Sequence, residues 1–203
     1  MLAAFLRLLA YVGLVAGAYF YTYLDVASGT YLEDSWTEAP QEVSLFLGGS
    51  AAGLVAYYRP GWRVLFAALS GLAFASLLRE FNNQIAEVLG KGSWLYFSLA
   101  VAIPVAVYVL RHLAAFWRQL NAVSGTFAFG VYASGMLVLH VFSRLYGANP
   151  LWRAAMGQDF DRTVARISEE GVELLAYTLI FLGTLELCRV AVGGLRPELE
   201  REA

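Results

Sequence analysis

The sequence predicts an all-α polytopic membrane protein, a bundle of six transmembrane helices with a short interfacial helix before the last span. Three observations carry this. Hydrophobic residues fill 59% of the 203 positions, charged residues only 15%, and mean hydropathy is +0.59, far too apolar for a soluble domain of this size. Crossing a bilayer takes about 20 mostly apolar residues, and runs of that kind recur at roughly 4–24, 40–58, 62–80, 93–111, 123–146 and 169–191. The five tryptophans fall at the ends of these runs, where indole rings prefer to sit. Trp36, Trp94 and Trp152 mark one side and Trp62 and Trp117 the other, as alternating spans require. The spans leave no room for a soluble domain, so residues 1–203 read as one transmembrane domain.

In the first run, Ala16-Gly17-Ala18 is a small-residue stretch of the kind a signal peptidase cuts, but the apolar pattern continues through Tyr19 to Leu24. A retained helix is expected, with Tyr11, Tyr19, Tyr21 and Tyr23 as belt and packing residues. The second run follows Pro40, and its row Glu42, Phe46, Gly49, Gly53 carries a small-xxx-small pair, the mark of a close helix approach. Arg59-Pro60-Gly61 then makes a tight turn. The third run ends in Arg79-Glu80-Phe81-Asn82-Asn83, and Gly90-Lys91-Gly92 followed by Ser93 reads as a loop and helix cap. Asn149-Pro150 is a good helix start, with Leu151, Trp152, Ala155 and Met156 on one side, so this stretch is expected to lie on the membrane surface. On the sixth run, Glu169, Glu170 and Glu173 share one face, continued by Tyr177 and Thr184.

Orientation rests on the basic residues. Arg7, Arg59, Arg63, Arg111, Arg118, Arg189, Arg196 and Arg201 lie on one side; Arg79, Lys91, Arg144, Arg153, Arg162 and Arg166 lie on the other. The short Arg59–Arg63 and Arg111–Arg118 connections contain no acid, which places both termini in the cytoplasm of a cell whose inner membrane holds the chain.

Twelve of the sixteen acids then gather at the outer side: Asp25, Glu33, Asp34, Glu38, Glu42, Glu80, Glu87, Asp159, Asp161, Glu169, Glu170 and Glu173. Those drawn into helices are informative, because a charge at membrane depth needs a partner or a function. Glu42, Glu80 with Asn83, His140, and Glu170 with Glu173 come from four helices at one shallow level, His140 being about 7–8 Å below the outer end of its helix. Carboxylates and an imidazole suit a divalent metal (Zn, Mn or Fe), and helical bundles build such sites from facing helices. The metal-ligand set expected here is Glu42, Glu80, His140, Glu170 and Glu173, supported by Arg79, Asn83 and Glu169. The competing reading is a salt-bridge network with Arg79, Arg144, Arg162 and Arg166, since three carboxylates on one face repel unless neutralised.

Other chemistries find little support. Cys188 is the lone cysteine and reads as an apolar filler. Phosphate loops, Cys-x-x-Cys and His-Glu-x-x-His are missing from the sequence. Ala133-Ser134-Gly135 is similar to the serine motif of rhomboid-type intramembrane proteases, but the last helix has no histidine to complete it. His112 and His140 lie on opposite sides and cannot ligate one haem. Glu186 is explained by Arg189 three residues on. The weak net charge of -2, without a basic tail, gives no suggestion of nucleic-acid binding. Partners are therefore the lipid bilayer and either a second membrane protein or further copies of the chain. The function expected is cation binding in an outward-facing pocket; the alternatives are a non-catalytic subunit or assembly factor, and a small transporter or channel.

Overall fold

A computed structural model of the chain describes residues 2–29 and 36–193. Glu33, Asp34, Arg196 and Arg201 lie outside the described residues. The helices, in chain order, are α1 (Leu2–Ser28), α2 (Glu38–Tyr58), α3 (Arg63–Glu80), α4 (Asn82–Leu89), α5 (Trp94–Arg111), α6 (Leu113–Ser124), α7 (Phe127–Leu137), α8 (Ser143–Tyr146), α9 (Asn149–Met156) and α10 (Arg162–Val192). A 3-10 turn at Pro60–Trp62 leads into α3, and a π turn at Val138–Phe142 joins α7 to α8 without breaking the helical run. No strand occurs among the described residues.

Five of these helical stretches are long and apolar enough to cross a membrane: Phe5–Ser28, Pro60–Glu80, Trp94–Arg111, Phe127–Tyr146 and Arg162–Val192. The expected second span does form a helix of 21 residues, but it is not among the five. Its composition explains this: Gly48, Gly49, Ser50 and Gly53 dilute its apolar content, and Glu38, Gln41 and Glu42 load its first turns. The helix at Asn149–Met156 begins at Asn149-Pro150 as the sequence implied. Two helices were not foreseen. The polar stretch after Phe81 winds into α4, and the Arg111–Arg118 connection is largely α6, whose Gln119 side chain accepts a hydrogen bond from the Leu65 N–H at 2.7 Å while being itself buried. That amide belongs to the first turn of α3, where N–H groups have no helical partner, so a glutamine from α6 supplies one.

The chain divides into two compact units. The first is Met1–Gln41 with Ala133–Leu182, the second Glu42–Tyr132 with Gly183–Ala203.

In the second unit α2 and α3 pack as the small-residue row demands. A Cβ at Gly49 would come 3.1 Å from the Ala73 Cβ, Gly53 faces Ser70, and the Ser70 hydroxyl donates to the Gly49 carbonyl at 2.9 Å. Phe46 and Phe74 meet edge to face. Gly71 lets Val105 of α5 close in, and the Ser98 hydroxyl of α5 donates to the Ala75 carbonyl. The core gathers Ala52, Val55, Trp62, Leu65, Phe66, Val123 and Leu187, with Cys188 packed at its edge. Trp62 is 1% exposed, so its reading as an interfacial anchor is corrected: it fills the core against Phe66. Arg59 donates to the Val192 carbonyl and Arg63 to the Ala56 carbonyl, satisfying groups that helix ends leave without helical partners. Glu186 is held by Arg189 at 2.9 Å, as the spacing implied.

In the first unit, Gly135 of α7 lies against α10 so closely that a Cβ there would sit 2.8 Å from the Ile180 backbone nitrogen. Gly171 gives the same freedom to Thr22 of α1. Asp25, buried near the end of α1, accepts from the backbone N–H groups of Trp36 and Thr37 and so ties the start of α2 to it.

Candidate functional site

The three glutamates at the head of α10 do converge, and each meets an arginine. Arg144 of α8 bridges two of them, with Nη1 2.6 Å from Glu169 Oε1 and Nη2 2.9 Å from Glu173 Oε1. Arg166 reaches Glu170 within α10, Nε to Oε1 at 2.7 Å. The carboxylates are shielded from water to different degrees, Glu173 most, with only 13% of its side chain exposed, so its charge depends on Arg144 more than that of Glu169 does.

These side chains border a cavity of about 660 Å³. Its wall is Gly147, Ala148 and Asn149, leading into α9, and Arg162, Thr163, Ala165, Arg166, Glu169, Glu170 and Glu173 along one face of α10. Gly147 is needed for this approach: a Cβ there would lie 2.5 Å from Glu169 Oε2 and 2.7 Å from its Cβ. The face extends because α10 begins at Arg162, seven residues earlier than the apolar run suggested. Asp161 caps it by accepting the Thr163 N–H at Oδ1, 2.8 Å away. That hydrogen bond lowers the Asp161 pKa below the usual carboxylate value.

No protein family, curated protein or solved structure matches this chain.

The remaining expected site residues are not among those that line this cavity. Glu42 and Glu80 belong to the second unit, on α2 and α3, and Arg79 stands 3.6 Å from Glu80. Asn83 is exposed on α4, two residues past the break at Phe81. His140 lies on the π turn and its side chain is exposed; it does not line the cavity. Among the described residues, no group of three or more His, Cys, Asp and Glu side chains is arranged to hold a metal ion. The countercharges foreseen for the α10 acids are present in Arg144 and Arg166.

Sequence reasoning missed two contributors. Asp25 was counted among the outer acids with no role of its own, yet it is 2% exposed and holds the Trp36 and Thr37 N–H groups. Gly147 and the α9 start form the wall opposite the acids, and the only signal was Gly147-Ala148-Asn149-Pro150, which reads locally as a turn and a helix start.

Proposed function

We propose that this chain is a six-span integral membrane protein, α2 being the sixth span, that takes a cationic group from the outer aqueous phase into the cavity at the head of α10. The observation supporting this is the meeting of Glu169, Glu170 and Glu173 on one cavity wall. Each arginine pair engages one named oxygen of its glutamate, Oε1, and a carboxylate accepts several hydrogen bonds. A resident Zn, Mn or Fe ion is the inorganic form of this reading, with Glu173 and His140 as the ligands to test. Elemental analysis of the purified chain beside His140→Ala and Glu173→Ala tests that form: stoichiometric metal lost in both variants supports it.

The reading as a whole is tested by calorimetric titration of the detergent-purified full chain with Mn2+, Zn2+ and ethanolamine. Saturable binding of at least one of them, lost in the Glu169→Gln/Glu173→Gln variant, is expected; silence with all three contradicts it.

A second reading is favoured by His140 alone. An imidazole exposed on a helix apolar enough to span a bilayer calls for a partner from outside the chain, which suits a non-catalytic subunit or a homo-oligomer. Under that reading His140→Leu changes the assembly seen by native mass spectrometry while leaving cation binding intact.

A further inference from the structure

The charge pattern of the α10 cavity says more about its ligand than the acids alone do. Its lining carries three carboxylates and the guanidinium groups of Arg162 and Arg166, and Arg144 adds a third guanidinium from just outside the lining. The two sets balance. A bare divalent ion bound at Glu169 or Glu173 would stand within about 5 Å of Arg144, which holds both oxygens at 2.6 and 2.9 Å, and like charges at such distances repel strongly where water is partly excluded. A bare anion would face the glutamates in the same way. A ligand with both signs gives each set of charges a partner.

Arg162 supplies the anion seat. Arg166 is spent on Glu170 and Arg144 on Glu169 and Glu173, whereas Arg162, exposed at the first position of α10, makes no ion pair or hydrogen bond with any described residue. Guanidinium recognises phosphate oxygens in a bidentate fork. A primary ammonium has three donors to spread over the glutamate oxygens. The volume of about 660 Å³ falls in the range of small-molecule sites. The cavity also sits at the end of a helix that is apolar enough to cross a bilayer, the level at which ammonium and phosphate headgroups are concentrated.

We infer that the cavity binds an ammonium–phosphate zwitterion of the phosphoethanolamine class, free or as a lipid headgroup, with Glu169 and Glu173 on the ammonium and Arg162 on the phosphate. This rests on the cation-binding reading above and narrows it.

The test is titration of the full chain in detergent with O-phosphoethanolamine, ethanolamine and inorganic phosphate. O-Phosphoethanolamine is expected to bind roughly tenfold or more tighter than ethanolamine, the yield of an added charge-assisted contact. Arg162→Gln should shrink that ratio towards one, and Arg162→Lys should restore part of it. Arg162 is exposed, so both variants are expected to fold, and an unchanged melting midpoint verifies this. Equal affinity for ethanolamine and O-phosphoethanolamine, or no binding of either, overturns the zwitterion; the cation reading falls only if Mn2+ and Zn2+ are silent as well. The source is resolved in nanodiscs: if the lipid headgroup is the ligand, O-phosphoethanolamine binds in phosphatidylglycerol discs and is excluded in phosphatidylethanolamine discs, whereas a soluble ligand binds in both.

Discussion

Arg144 and Arg166 both pair with α10 glutamates, yet their contributions to stability differ. Arg144 spans from α8 to α10 and serves two carboxylates, one of them well shielded, so Arg144→Ala leaves a poorly hydrated charge behind. A loss of about 1–2 kcal/mol in denaturant unfolding is expected, partly recovered in Arg144→Ala/Glu173→Gln. Arg166 makes a local pair four residues from Glu170, the kind worth roughly 0.2–0.5 kcal/mol, so Arg166→Ala should be close to silent. Asp161 gives a pH signature. Its folded pKa lies below its unfolded one because the Thr163 N–H holds the charged form, so its stabilisation is complete above the unfolded value and is lost as pH falls through the folded value. Asp161→Ala should therefore melt below the wild type at pH 7, with the gap closing in acid beneath the usual carboxylate range near pH 4. A gap independent of pH would count against the cap. These partners were half legible in advance: spacing placed the three glutamates on one face and named the four outer arginines, but only the folded chain could assign Arg144 to two of them and leave Arg162 without a partner among the described residues.

At the scale of elements, glycines mark where helices touch. Gly135 meets the α10 backbone, which cannot retreat as a side chain can, so Gly135→Val should destabilise strongly, by about 1–3 kcal/mol or more. Gly130, five residues earlier, has open space where a Cβ would go, and Gly130→Ala should be neutral or stabilise by up to about 1 kcal/mol through helix propensity. Thermal melts of the two variants side by side check the contrast. Long apolar runs and the Gly49/Gly53 row announced their helices and their packing, because hydropathy and small-residue spacing are properties of the chain itself. α4 and α6 escaped because short amphipathic helices beside arginine and asparagine look like loops until a partner buries them, as Leu65 does for Gln119. Trp62 misled for a related reason: an indole at the end of an apolar run suits both the interface and a core, and neighbouring Phe66, Val55 and Leu187 decide which.

For the whole molecule, the number of spans is a question of parity. Five crossings put the termini on opposite sides of the membrane; six, with α2 included, put them on the same side. Reporter fusions at each terminus should both report cytoplasm under the six-span reading, and a split result would make α2 a helix that does not cross. Composition could declare the membrane class, but it could not assign α2, because glycine and serine that serve packing also lower hydropathy. Nor could it build the cavity, whose wall at Gly147–Asn149 is distant in sequence from the acids it faces.

The central claim is that the α10 carboxylates form a ligand site rather than only an ion-pair network, and ligand-linked stability tests it most directly. Unfolding of the full chain is followed with rising ethanolamine, wild type beside Glu169→Gln/Glu173→Gln. Binding to the folded state alone predicts a gain of about 2.7 kcal/mol at a hundredfold excess over Kd in the wild type and none in the variant. A wild type left unchanged by ethanolamine, Mn2+ and Zn2+ each in turn, or an equal gain in both proteins, would contradict the claim.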